Sequence, residues 1–193
     1  MTVKITPKTI VEEIIATING LDKGLKDYGI RDMVKHAEEL GPYLKQQRLE
    51  TNQIRKFLDA INQIKALLTK QDEDEILLKE LNLIQIKADK EKEQEKEKEK
   101  NNEKLLDKIK NIQNKADLKK GELLFNKVEA DVVLLKPKLA YAAARQKAAI
   151  PFKEVMVVAI DKVYSTKDFE RLVQFIESII AYHKEAEQKK YRR

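Results

Sequence analysis

Cysteine is absent from the 193 residues, which excludes disulfides, thiolate metal sites and a cysteine nucleophile. Histidine occurs only twice, too few for the usual zinc sites. Glycine (5) and proline (4) are scarce and aromatics make up 6%, so turns are few and elements long. That composition favours an all-helical chain. No apolar run approaches the ~20 residues that span a bilayer. The opening Met1-Thr2-Val3-Lys4 leads into an amphipathic segment with Glu12 and Glu13 rather than a signal peptide. The expectation is a soluble, cytoplasmic protein with no membrane partner.

Charge is abundant (37% of residues) and unevenly placed. Net charge is +6, yet residues 71–120 hold 13 cations and 14 anions, so the remainder is the basic part. Such a balance permits nucleic-acid binding without establishing it. One window departs from the mixed-sign pattern. From Val132 to Lys153 there is no acidic residue, but there are five cations: Lys136, Lys138, Arg145, Lys147 and Lys153.

The periodicity predicts a succession of helices. Thr6-Pro7 is a helix start, with Ile10, Val11, Ile14, Ile15 and Ile18 on one face. Gly20, Gly24 and Gly29 place loops or short turns over 20–29. A second helix, Arg31–Leu40, is expected to stop at Gly41-Pro42. Tyr43–Leu68 reads as mostly one long helix, with Thr51 either capping a fresh start or inside a continuous helix. Its stripe is Ile54, Phe57, Leu58, Ile61, Ile64 and Leu68. In 71–120, two apolar stripes flank an alternating Lys/Glu run with nothing to bury, which predicts an antiparallel hairpin with a mobile polar tip. Leu124, Val128, Val132 and Leu135 form a stripe ending at Pro137, a kink or a helix start. Helices over Lys138–Ile150, Phe152–Val163 and Phe169–Glu187 follow, with a frayed tail. The expected architecture is all-α: a compact bundle of about five to six helices, built from 1–70 and 121–193, with 71–120 inserted as a partly flexible helical hairpin.

Catalytic constellations are lacking. There is no Ser-His-Asp spacing and no glycine-rich phosphate loop, and the pairs Glu12/Glu13 and Glu38/Glu39 belong to solvated faces. His36 and His183 stand alone on helices and are expected to be surface or half-buried residues. The reading is therefore non-enzymatic, without metal or cofactor. Basic faces remain. Lys138, Tyr141 and Arg145 fall at i, i+3 and i+7 on one helical face, opposite Leu139, Ala140, Ala143 and Ala144, which are expected to pack. A lysine, an aromatic and an arginine together suit phosphate contact plus stacking; a solvated helix with Tyr141 half buried fits the pattern equally well. Arg48, Asn52 and Arg55 project onto a second, weaker basic face.

Three ordered blocks carry a resemblance: Thr51-Asn52-Gln53-Ile54-Arg55-Lys56-Phe57-Leu58, then Leu135-Lys136-Pro137-Lys138-Leu139-Ala140-Tyr141-Ala142-Ala143-Ala144-Arg145, then Asp168-Phe169-Glu170-Arg171-Leu172-Val173-Gln174-Phe175-Ile176-Glu177-Ser178-Ile179-Ile180-Ala181-Tyr182-His183. Together they resemble the small subunit of type III-A CRISPR effector (Csm) complexes, over roughly 30–70 and 121–187. The 71–120 segment is longer than the compact family pattern needs, and about the first 25 residues are not anchored by it. The resemblance implies a small all-helical protein that is not itself a nuclease. Several copies would line up with backbone and large subunits and with neighbouring copies of themselves, beside the guide RNA–target RNA duplex. Target cleavage would belong to the backbone subunits and nucleotide cyclisation to the large subunit.

The resulting expectation is sequence-independent RNA contact through Arg48, Asn52, Arg55, Lys56, Lys136, Lys138, Tyr141, Arg145 and Lys147. The alternative is a coiled-coil scaffold or protein-interaction module without RNA contact; a basic DNA-architectural protein is a third reading, which would require tight DNA binding by the isolated chain. Deleting 71–120 and rejoining its ends separates the first two. RNA binding by the remaining body should survive the deletion, whereas a scaffold should lose its partner in a pull-down.

Overall fold

Pro7 opens α1 (Pro7–Asn19), where a fixed φ suits the first turn and a missing N–H leaves nothing unpaired. The computed structural model describes residues 7–71, 110, 111, 114 and 125–191. Thr6, the expected cap, and nearly all of the expected 71–120 hairpin lie outside the described residues. The other helices are α2 (Ile30–Gln46), α3 (Thr51–Gln71), α4 (Leu135–Arg145), α5 (Ile150–Ile160) and α6 (Thr166–Tyr191). Single 3-10 turns occupy Leu25–Asp27 and Lys147–Ala149, and a helical stretch at 125–133 leads into α4. No strand occurs among the described residues, so the fold is the all-α bundle expected.

The apolar stripes become one continuous core. α6 forms its axis, burying Phe169, Leu172, Val173, Phe175, Ile176 and Ile179. α2 lies along α6, α1 and α4 pack on α5, and α3 touches both α6 and α4. α5 is apolar on most sides and correspondingly enclosed, with Phe152, Val155, Met156, Ala159 and Ile160 buried. Tyr28 meets Phe175 edge-on with ring centroids 5.5 Å apart, a geometry worth about 1 kcal/mol beyond area burial.

Gly41 and Pro42 do not stop the second helix, which runs on to Gln46. The reason is packing. A Cβ on Gly41 would sit 2.6 Å from the backbone nitrogen of His183 and 2.9 Å from Tyr182 Cβ. The glycine therefore serves the close crossing of α2 and α6 rather than a turn. Pro42 leaves only the carbonyl of Glu38, four residues back, without its helical donor, and Glu38 is exposed to solvent.

Of the two readings open at Thr51, the structure shows the fresh start: Tyr43 belongs to α2, and 47–50 divide it from α3. The Leu49 N–H bonds to Leu44 O at 3.0 Å and the Arg48 N–H to Lys45 O at 3.0 Å. This is the Schellman closure of a helix C-terminus, with Leu49 and Leu44 making its buried apolar contact. Arg48 takes the left-handed position at φ 65°, where glycine is usual. Thr51 marks the new start in the sequence, but the left-handed residue before it is unmarked, because arginine fills that position.

The 20–29 segment is tied down by Asp168, a fully buried carboxylate. Its Oδ1 accepts the Lys26 N–H at 2.7 Å, and its Oδ2 accepts the Ser165 hydroxyl at 2.6 Å and the Tyr164 N–H at 3.2 Å. Ser165 Oγ in turn accepts the Asp168 N–H at 3.3 Å, a reciprocal cap at the start of α6. Gly24 passes at φ 123°, where a Cβ would meet Asp168 Oδ1 at 2.6 Å. At the other end, α6 continues through the expected frayed tail to Tyr191.

Replacing Gly41 by alanine tests the crossing. Alanine should gain about 1 kcal/mol of helix propensity, but overpacking against backbone costs about 1–3 kcal/mol. The expected net result is a lower urea midpoint at unchanged m-value; a raised midpoint would contradict the close approach.

Candidate nucleic-acid interface

α4 begins where Pro137 dictates. Its missing donor and its ring disrupt the bond to the Val133 carbonyl, four residues back. The chain accordingly makes a turn at Leu134 and restarts as helix at Leu135. Gln146 then adopts an extended conformation (φ −141°, ψ 109°) and ends α4, short of the expected Ile150. A helix running on would have left Lys147 O facing Pro151, which cannot donate. The extended residue lets the chain turn into α5 instead.

Leu135, Leu139 and Ala143 form the buried seam of α4. Ala140 and Ala144, expected to pack with them, are exposed, because the contact follows a single i, i+4 row. Lys138, Tyr141 and Arg145 are also exposed, Tyr141 to 65%. Arg145 Nη1 donates to Tyr141 Oη at 3.3 Å, and its guanidinium carbon lies 5.6 Å from the Tyr141 ring centroid. The cation and the ring thus support one another's placement.

On α3, Ile54, Phe57, Ile61 and Ile64 face the core, while Lys56 faces outward. Phe57 meets Phe152 of α5 edge-on at 5.6 Å. Between α3 and α4 lies a groove of about 520 Å³, floored by Leu49, Ile54, Phe57, Leu139 and Phe152. Its polar rim includes Lys56, Lys138, Tyr141 and Arg145. Three cations and no acidic side chain line it.

Four of the nine expected contact residues therefore meet at one place. The others are distributed around it. Asn52 and Arg55 are exposed on α3 but do not line the groove. Arg48 shares no helical face with them, because it sits in the left-handed turn before α3. Lys147 is exposed on the 3-10 turn after α4. Lys136 is paired with Asp161, which offsets its charge. Gln53, Ala60 and Gln146 line the groove but were not singled out in the sequence; Gln53 and Ala60 flank Lys56 and Phe57 at three/four spacing, the one signal available.

Both histidines are buried, not surface or half-buried as expected, and both have partners. Burial, with Asp32 and Glu13 nearby, pushes the Tyr28 hydroxyl far above its ordinary range. It stays protonated and hydrogen-bonds His36 Nδ1 at 2.5 Å. His183 Nε2 donates to Leu49 O at 2.9 Å, and the Thr51 hydroxyl lies 3.1 Å from both His183 Nδ1 and Glu187 Oε2. Lys45 Nζ reaches Glu187 Oε1 at 2.6 Å. This network clamps the 47–50 turn onto α6 and so sets where α3, one wall of the groove, departs. No group of three or more potential metal ligands occurs among the described residues.

The described residues thus form an all-α bundle whose α3–α4 groove sets three cations over an apolar floor. The family model described as Csm2 Type III-A matches residues 27–120 and 102–189, and the chain belongs to that family. It is thus a small subunit of the type III-A CRISPR Csm complex. Searches of curated proteins and of solved structures gave no match.

The clamp predicts a pH dependence. Burial lowers the His183 pKa below 6.5, so the folded state takes up its proton later than the unfolded chain. The hydrogen bond from Lys45 holds Glu187 below its usual 4.5. For both groups the unfolded state binds more protons on acidification. Stability should be complete above about pH 6.5 and decline below it through His183, then further at lower pH through Glu187. Denaturant midpoints between pH 7.5 and pH 5 should fall, less steeply in His183→Gln. Rising stability over this interval would contradict the assignment.

Proposed function

We propose that the α3–α4 groove is a non-catalytic RNA contact that helps hold the target strand in the type III-A effector complex. The observation that carries this reading is the convergence of Lys56 with Lys138 and Arg145. They come from sequence-distant helices and share a groove lined by no acidic residue. Phosphate oxygens are their natural partners, and such contacts position a strand without reading its sequence. Base pairing with the guide supplies specificity, as in other RNA-guided systems. Tyr141 offers a ring and a hydroxyl beside the cations. Arg48, Arg55 and Lys147 add exposed cations and Asn52 an exposed amide outside the groove's lining, while Lys136 contributes least because Asp161 already pairs with it.

Several copies along the guide–target duplex, with backbone and large subunits and neighbouring copies, would make modest affinity per copy sufficient, because linked contacts accumulate. Net charge of only +6 fits that arrangement. Among the described residues no helix is long and apolar enough to cross a membrane, which fits work in the cytoplasm.

The test is target-RNA binding by the reconstituted complex across a salt series. Lys138→Ala with Arg145→Ala should weaken binding about tenfold near 0.15 M salt and lower the magnitude of the log–log salt slope by about 1–2. Lys136→Ala should change both much less. An unchanged affinity and slope in the double variant would overturn the reading.

A further inference from the structure

The groove is more than a cationic surface. A track for phosphates needs only charge and hydrogen-bond donors, yet the floor beneath Lys56, Lys138 and Arg145 is made of Leu49, Ile54, Phe57, Leu139 and Phe152. Its volume, about 520 Å³, falls within the ~300–1,000 Å³ of pockets that enclose small ligands. At its mouth stands Tyr141, 65% exposed, with the Arg145 guanidinium held 5.6 Å from its ring. Gln53 and Gln146 add amide donors and acceptors to the lining.

This combination matches a single nucleotide. Its phosphate needs cations, its heterocycle an apolar slot with a ring or guanidinium plane to stack on, and its base edge a few amides. We infer that the groove receives one unstacked nucleobase of the bound RNA strand, with the adjoining phosphates held by Lys56, Lys138 and Arg145. The occupant is thus an unpaired nucleotide, because a base within a duplex keeps its faces covered by its neighbours. Selection among bases is weak, since every base has a π-face and the glutamine amides both donate and accept. The inference rests on the RNA-contact reading above and adds a separable claim about what fills the apolar floor.

Photocrosslinking tests it. Target RNAs carrying a single 4-thiouridine, moved one position at a time, are bound to the reconstituted complex, irradiated and mapped by peptide mass spectrometry. Crosslinks should appear at discrete positions of the strand and map to the α4 peptide that carries Tyr141, the exposed aromatic of the lining. Filling the slot with Ala142→Phe on the α4 wall, or Ala60→Leu on the α3 wall, should cut that yield by about fivefold or more. The salt slope of RNA binding should persist in both, since neither substitution removes a cation. Ala142 is exposed and Ala60 half buried, so two independent fillings guard against a folding defect, checked by thermal melting. Folded variants with wild-type crosslinking at this peptide, or crosslinks that never map to the groove, overturn the inference. If salt dependence is likewise indifferent to Lys138 and Arg145, the RNA-contact reading fails as well; if it responds to them, only the base slot is lost.

Discussion

The close crossing of α2 and α6 at Gly41 is the constraint on which the remaining geometry depends. With backbone of one helix against backbone of the other, Leu44 and Leu49 are brought into the core together. The Schellman turn then closes within reach of His183, whose ring bonds the Leu49 carbonyl. Thr51, the first residue of α3, bonds into the same network. The direction of α3 follows from that junction, and so does the position of Lys56 opposite α4. A side chain at position 41 would push these elements apart at their root.

Charge is distributed with similar economy. Asp168 is buried but satisfied by three donors, so it acts as a cross-link between the 20–29 segment and α6. Lys162 donates to Asn19 O and Leu21 O near the end of α1, satisfying carbonyls that helix termini leave open. Lys136 is paired with Asp161. The cations left facing the groove have no acidic neighbour in its lining, and Arg145 is oriented by Tyr141 rather than by a carboxylate. A guanidinium placed by a ring keeps its charge available to an external anion.

Much of this was legible in the sequence because hydrophobic periodicity is a local signal. Ile54, Phe57, Ile61 and Ile64 face inward as their spacing requires, and so do Leu172, Val173, Phe175, Ile176 and Ile179. The failures have tertiary causes. Gly41-Pro42 looks like a stop because the usual meaning of that dipeptide is local, whereas here a partner helix needs the missing Cβ. Arg48 looks helical because nothing local marks a left-handed residue that is not glycine. Ala140 and Ala144 look packed because small residues suit close approach, yet only Leu135, Leu139 and Ala143 reach the body. Lys138, Tyr141 and Arg145 were found together because they share a helix. Their meeting with Lys56 depends on how α3 and α4 are placed, which no spacing along the chain encodes.

An experimental structure of the assembled effector complex with target RNA bound would test the central claim most directly. The account predicts Lys138 Nζ and the Arg145 guanidinium within about 3–4 Å of target-strand phosphate oxygens, with the α3–α4 groove facing the RNA. A groove covered by a neighbouring protein subunit, with the target strand passing elsewhere, would contradict it.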